Sequence, residues 1–233
     1  MVMNSKSYYN AIAKNYSKLA RKRLKYLMAV EAIITKSQNI DSYLDIGCGD
    51  GKRSLRIIDQ LKPRKVVLLD ESDQMLQNIN ASQLGVIEVK VGNYLSQPIE
   101  TKFDLITCLW NVFGHLESKE IKLLFLEKIH NSLTESGILF LDINNRYNLK
   151  SYGIKAVFQN IFKDFTGKQN AGYYSLNAGT DISSQVYIHN PFEMDKLLKR
   201  AGFSKVKKYY IDYDTGEEKS TFLEGQILYR ADY

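Results

Sequence analysis

The segment that most constrains the fold is a short apolar stretch that runs directly into closely spaced glycines. Residues 43–46 form the stretch, and glycines follow at every second position, at Gly47, Gly49 and Gly51. Glycine lets the backbone turn sharply and lets a ligand approach where a Cβ atom would collide. Because an amphipathic pattern begins just afterwards, the segment predicts a strand, a tight turn with ligand contact, and a helix.

The rest of the chain repeats the alternation of apolar runs with helix-period segments. This rhythm predicts an α/β fold of the Rossmann-like type, a three-layer sandwich around a mainly parallel sheet. At 233 residues the chain suits a single domain spanning residues 1–233. Seven strands are predicted, at residues 43–46, 65–70, 86–91, 103–109, 137–143, 205–211 and 226–230.

Two segments stand outside this alternation. Residues 1–40 carry a helical apolar pattern and predict an N-terminal cover over the ligand cleft. Residues 145–190 contain several glycines and many aromatic residues, and they predict an insertion that caps the substrate side of the ligand cleft. The competing interpretation of the insertion is a structural excursion that extends the sheet.

Sequence composition narrows the class of protein. The chain has no run of 18 apolar residues and no signal-peptide pattern, so we expect a cytoplasmic protein without membrane association. Cys48 and Cys108 show no CxxC spacing, which predicts buried thiols and neither a disulfide nor a metal site.

The net charge of +6 raises the possibility of a nucleic-acid partner. The basic residues gather at positions 18–25 and 199–208, without the aromatic interleaving or recognised module of nucleic-acid binders. We therefore interpret them as solvated faces and expect a small-molecule partner, with monomer and homodimer both open. RNA remains the alternative partner.

Acidic residues flank the glycine turn. A dinucleotide-binding loop would place its third glycine where Lys52 stands, and Asp45 and Asp50 would oppose a pyrophosphate at the helix N-terminus. Two carboxylates suit a cationic ligand better, namely the ammonium and sulfonium groups of S-adenosyl-L-methionine (SAM). Asp70 ends the second strand about twenty residues later, where an acid binds ribose hydroxyls in such folds, although a helix N-cap is the competing role.

These residues, together with Phe103-Asp104-Leu105 and Gly137-Ile138-Leu139, resemble the class I SAM-dependent methyltransferases over roughly residues 43–229. The resemblance implies an antiparallel last strand and a SAM cofactor. It also implies cofactor-binding residues: Tyr8, Tyr16, Arg21, Asp45, Gly47, Cys48, Gly49, Asp70, Glu71, Met75, Gly92, Asn93, Tyr94, Leu109 and Trp110. At Asn93 the family often carries an acid that contacts the adenine, and the amide oxygen of Asn93 can accept the same hydrogen bond without the charge.

The residues after the fourth strand suggest the acceptor chemistry. The run from Cys108 to His115 is similar to a stretch of the glycine and sarcosine N-methyltransferase-like group, with Trp110 in place of a glycine. The catalytic candidates are His115, Asn111 and Tyr16, because a positioned histidine at the carboxyl end of a strand can contact an acceptor. Arg21 is a candidate counter-ion for the methionine carboxylate.

A polar cluster after the fifth strand completes the candidate site. Asn144, Arg146 and Tyr147 are candidate substrate residues, with Arg146 able to orient a carboxylate or phosphate; a loop that caps its own backbone is the alternative. The sequence thus predicts methyl transfer to a nitrogen of a small metabolite, or less favourably to an oxygen. A non-catalytic SAM-binding protein is the other alternative.

Overall fold

The computed structural model describes residues 2–79, 86–166, 172–177 and 182–233. Their central sheet has eight strands: β2 (Ser42–Ile46), β3 (Lys65–Asp70), β4 (Ile87–Val91), β5 (Phe103–Cys108), β6 (Leu133–Ile143), β9 (Lys205–Ile211), β10 (Glu218–Lys219) and β11 (Gln226–Asp232). They are arranged in the order β10-β9-β11-β6-β5-β2-β3-β4.

The Rossmann-like sandwich is confirmed, and β11 runs antiparallel between β6 and β9 as expected. The predicted count of seven strands was one too low for this sheet, because the two-residue strand β10 adds to its edge by pairing with β9. So short a strand leaves no apolar alternation to detect.

Two apolar cores lie on opposite faces of the sheet. One face is covered by α5 (Lys119–Asn131) and α7 (Pro191–Arg200), which bury Leu126 and Leu198 against the strands. The other is covered by α2 (Leu24–Ile34) and α3 (Lys52–Leu61), which bury Val30 and Ile57. At about 25 cal/mol per Å² of apolar area, this burial is the main stabilising contribution to the fold.

The carboxyl ends of the parallel strands meet at one edge of the sheet. Two further elements contact one another beside this edge: α1 (Ser5–Arg21) and a second sheet of β1 (Val2–Met3), β8 (Ser183–Tyr187) and β7 (Tyr173–Asn177). The first residues of the chain thus pair in parallel with a strand some 180 residues later. Of the expected insertion, residues 167–171 and 178–181 lie outside the described residues.

The remaining helices are α4 (Asp73–Leu76) and α6 (Leu149–Phe165), the latter broken by a left-handed Gly153. Within the described residues, no helix is long and apolar enough to cross a bilayer.

Candidate active site

A cavity of about 1200 Å³ opens at the carboxyl ends of the central strands. Its wall draws on the glycine turn, the end of β3, the turn after β5, helix α1 and strand β8. The lining includes eleven of the predicted cofactor residues: Tyr16, Gly47, Gly49, Asp70, Glu71, Met75, Gly92, Asn93, Tyr94, Leu109 and Trp110. The catalytic candidate His115 also lines it, so the fold brings these distant positions together.

The glycine turn packs so tightly that side chains are excluded. Gly47 has φ +74°, and a Cβ there would lie 2.5 Å from Cγ2 of Val112. Gly49 has φ +59°, and its Cβ would meet Met75 and Tyr16, both of which line the cavity. The left-handed backbone and the close packing together explain why these positions are glycine.

Asp70 joins the end of β3 to the glycine turn. Its Oδ2 accepts a hydrogen bond from the Gly49 N–H at 2.8 Å, and its Oδ1 accepts one from the Ser72 N–H at 2.8 Å. Burial raises the pKa of the Asp70 carboxyl, and these hydrogen bonds oppose the shift. Ser72, not Asp70, caps α4, because its hydroxyl accepts from the Met75 N–H. Asp70 is therefore free of the capping role.

The floor beneath the turn is a buried charge cluster. Asp45 is fully buried and accepts hydrogen bonds from the hydroxyls of Ser54 and Thr107. The pKa of Asp45 is raised by burial, while the nearby Arg53 guanidinium opposes that shift. Arg53 is also buried and has a favourable charge interaction with Asp142 as well as Asp45. Arg53 escaped the sequence analysis, because a charged residue in the first turn of an amphipathic helix usually faces solvent.

The turn after β5 holds two residues in the left-handed region, Trp110 at φ +65° and Asn111 at φ +56°. Asp142 accepts the Asn111 N–H at 2.7 Å, and the Asn111 side chain accepts the Asn144 N–H at 3.1 Å. Residues with a Cβ pay about 1–2 kcal/mol for this conformation. A glycine at the position of Trp110 would adopt the same left-handed backbone without this cost.

An aromatic wall closes the other side of the cavity. Tyr9 and Tyr16 come from α1, and their rings lie 6.2 Å apart; Tyr16 in turn lies 6.3 Å from Trp110. The hydroxyl of Tyr9 is 3.1 Å from Nε2 of His115, and burial lowers the pKa of His115 to about 4. The histidine is therefore neutral at pH 7.

The far end of the cavity is polar. The Asn93 side-chain amide donates to Glu71, and its Oδ1 accepts the Leu95 N–H at 2.8 Å. One lone pair of that oxygen thus accepts a hydrogen bond within the loop, and the second lone pair is available to a ligand.

Among the described residues no group of three or more His, Cys, Asp or Glu side chains could hold a metal ion.

Four predicted cofactor residues do not line the cavity. Tyr9 and Tyr16 are seven residues apart and lie on the side of α1 that faces the cavity. Tyr8 lies on another side of the helix and is buried against the domain. Arg21 ends α1 on the exposed surface. Asp45 lies beneath the glycine turn, and Cys48 points into the core. Tyr9 was not predicted, because the sequence does not show which side of α1 faces the cavity.

The candidate substrate residues form a separate network. Arg146 is fully buried and ion-pairs with Asp164 at 2.5 Å, and the Tyr147 hydroxyl donates to the same carboxylate at 2.6 Å. Asn144 and the catalytic candidate Asn111 bind each other through backbone and side chain. None of the four lines the cavity. Arg146 and Tyr147 join their loop to Asp164 of α6, and Asn111 joins the turn after β5 to Asn144. Their contact with cofactor or acceptor stays a prediction.

The chain is similar in sequence to known methyltransferases. A family profile described as a methyltransferase domain matches residues 44–137. A glycine/sarcosine N-methyltransferase of Parasynechococcus marenigrum is 30% identical over 206 residues, which cover 81% of this chain and 72% of the relative. An uncharacterised protein of Methanocaldococcus jannaschii is 26% identical over 208 residues, covering 88% and 78% of the two chains.

Solved structures agree on the fold. A SAM-dependent methyltransferase from Clostridium acetobutylicum superposes with a TM-score of 0.67 at 19% identity, covering 96% of this chain and 98% of the other. A putative methyltransferase from Haloferax volcanii, solved with its activator, gives 0.70 at 15% identity, covering 97% and 96%. With the glycine turn, Asp70 and the strand order in place, this chain belongs to the class I SAM-dependent methyltransferases.

Proposed function

We propose that the protein transfers the methyl group of SAM to a nitrogen of a small, soluble metabolite. The observation that carries the proposal is the aromatic wall of Tyr9, Tyr16 and Trp110 beside a neutral His115 in one cavity. Aromatic faces attract cations. The wall suits the positive charge that passes from sulfur to an amine nitrogen during transfer.

The residues present fit SAM at one half of the cavity. Asp70 would hold the ribose hydroxyls, since its carboxylate faces the cavity with two backbone hydrogen bonds fixing its position. Met75 and Asn93 would contact the adenine, and Leu109 and Gly47 would flank the methionine part. When bound, SAM supplies an electrophilic methyl group on a sulfonium.

The protein's own residues would align the acceptor and exclude water. No covalent protein nucleophile is needed for an in-line displacement, so orientation accounts for much of the acceleration. Strand β8, helix α1 and the turn at His115 contribute Gln185, Tyr9 and His115 to the acceptor half. Among the described residues that line the acceptor half, Lys6 and Glu117 are charged. Charges of both signs suit a small polar acceptor.

The relatives support a nitrogen target. Several of them are named as N-methyltransferases, including the glycine/sarcosine enzyme from Parasynechococcus marenigrum and a cypemycin N-terminal methyltransferase from a Streptomyces species. The absence of arginine from the described cavity lining favours an acceptor that does not rely on a guanidinium for recognition.

Incubation of the protein with methyl-deuterated SAM tests the proposal, using a low-molecular-mass metabolite fraction in one reaction and total RNA in another. Mass spectrometry should place the deuterated methyl on an amine nitrogen of a small molecule, and the Asp70→Ala variant should lose the product. A label found on RNA or on a hydroxyl oxygen would overturn the nitrogen assignment. SAM binding without transfer to either fraction would favour a non-catalytic role.

A further inference from the structure

Helix α6 presents an apolar stripe to solvent. Its members are Ile154, Phe158, Phe162 and Phe165, which are 67%, 67%, 70% and 91% exposed. They follow one another at spacings of four, four and three residues, so they lie on one side of the helix. Single exposed apolar residues are ordinary on a protein surface, but a row of four large ones marks an interaction site.

The stripe cannot turn inward, because polar contacts fix the opposite side of α6. Val157 and Asn160 are buried there. The Asn160 side chain donates to the backbone oxygen of Arg146 and accepts from the Tyr174 hydroxyl, both at 3.2 Å. Asp164, four residues after Asn160, accepts a hydrogen bond from the Arg146 guanidinium at 2.5 Å. Rotation of the helix would break these hydrogen bonds, so the stripe leaves water only by contact with another body.

The charges of α6 indicate the chemistry of that body. Lys150 and Asp164 each form an ion pair within the fold. The two charged residues that remain are Lys155 and Lys163, and helical spacing places both on the same flank of the stripe. The outward face of α6 is therefore apolar and basic, and the chain's net charge of +6 has the same sign. This combination is typical of helices that lie in the interface of an anionic bilayer.

A bilayer suits this face better than a second copy of the chain. Packing two stripes together would bring Lys155 and Lys163 of both copies to one seam, where α6 offers no further carboxylate to pair with them. Like charges brought together oppose such an association. At a bilayer, the apolar side chains enter the acyl region while the lysine ammonium groups reach the anionic headgroups.

We propose that α6 binds the surface of an anionic lipid bilayer through the apolar stripe, with the helix lying in the interface. The expectation of a protein without membrane association rested on the missing apolar run, which an interfacial helix does not need. None of the four described stripe residues lines the cavity. The inference is therefore independent of the proposed methyl transfer.

Vesicle binding tests the proposal with the full chain. Co-sedimentation with phosphatidylcholine vesicles that contain about 30% phosphatidylserine should show binding that weakens as salt is raised, and pure phosphatidylcholine vesicles should bind at least tenfold more weakly. Phe158→Ser/Phe162→Ser keeps the net charge and should weaken binding to the anionic vesicles at least tenfold. Lys155→Gln and Lys163→Gln should each weaken it about fivefold.

The matched control is Met28→Ser/Leu124→Ser. It removes two exposed apolar side chains from α2 and α5 and should bind the anionic vesicles like wild type. Thermal unfolding should show that both double variants fold. Unchanged vesicle binding in Phe158→Ser/Phe162→Ser, or an equal loss in the control, would overturn the proposal, because binding would then come from charge or apolar surface elsewhere.

Light scattering distinguishes a bilayer from a second copy as the occupant. A wild-type monomer that binds anionic vesicles supports the proposal. A wild-type dimer that binds no vesicles, and that dissociates in Phe158→Ser/Phe162→Ser, would overturn it in favour of self-association.

The Phe162→Trp variant reports insertion directly. Its fluorescence emission should shift to the blue when anionic vesicles are added, and brominated acyl chains should quench it. Wild type should show neither change, because its one tryptophan, Trp110, lines the cavity. Vesicle binding with an unchanged emission spectrum in Phe162→Trp would overturn the proposal, because the stripe would then remain in water.

Discussion

Replacing Trp110 tests the strained turn after β5. At its φ of +65°, a residue with a Cβ is destabilised by about 1–2 kcal/mol, and glycine is not. Glycine instead lowers the free energy of unfolding by about 0.5–1 kcal/mol relative to alanine, because its unfolded backbone has more conformational entropy. Trp110→Gly and Trp110→Ala both remove the indole ring, so they differ only in these terms. We expect the glycine variant to be the more stable by about 0.5–1 kcal/mol.

Thermal unfolding measures this difference. The melting temperature of a domain of this size changes by about 2–4 °C for each kcal/mol of unfolding free energy. Trp110→Gly should therefore melt about 1–4 °C above Trp110→Ala. The matched control is Leu124, an exposed position in helix α5, where the alanine variant should be the more stable of the two. The reasoning is refuted if Trp110→Ala is as stable as Trp110→Gly, because the backbone would then not be held left-handed.

The remaining predictions concern the glycine turn and His115. Gly47→Ala should weaken SAM binding at least tenfold in calorimetric titration, because the added Cβ would lie 2.5 Å from Val112. The control is Gly153→Ala, whose Cβ would meet no atom within 4 Å and which should leave the SAM affinity unchanged. Equal losses of affinity in the two variants would contradict the packing argument. The pKa of His115 is lowered to about 4 in the folded protein, so as the pH falls the unfolded chain takes up the His115 proton before the folded protein does. The neutral, buried ring therefore contributes to the free energy of unfolding above pH 6.5, and this contribution is lost as the pH falls towards 4. Urea titrations should show wild type losing about 1–3 kcal/mol more than His115→Gln over that window, and parallel losses would show that the ring is not desolvated.

Much of the framework was predictable because buried parallel strands have a strong signal. The strands β3 and β9 were predicted with the bounds that the structure shows, and the predicted glycine turn and Asp70 both line the cavity. These features were predictable because they depend on the pattern of apolar residues and glycines within a short stretch of sequence.

The parts that escaped prediction depend on long-range contacts. Strand β1 pairs with β8 across some 180 residues, and its two residues have no pattern of their own. Arg146 resembled an anion-binding residue, but Asp164 neutralises it within the fold. Tyr9 was preferred by the helix geometry over Tyr8 only once the packing side of α1 was known.

The central claim is that this cavity binds SAM through Asp70. The most direct measurement is calorimetric titration of the protein with SAM and with S-adenosylhomocysteine, alongside Asp70→Ala and the control Asp59→Ala, an exposed position in α3. We predict that wild type and Asp59→Ala bind both ligands alike and that Asp70→Ala binds them at least tenfold more weakly, because it loses a charge-assisted contact. No binding to wild type, or equal affinity in Asp70→Ala, would contradict the account.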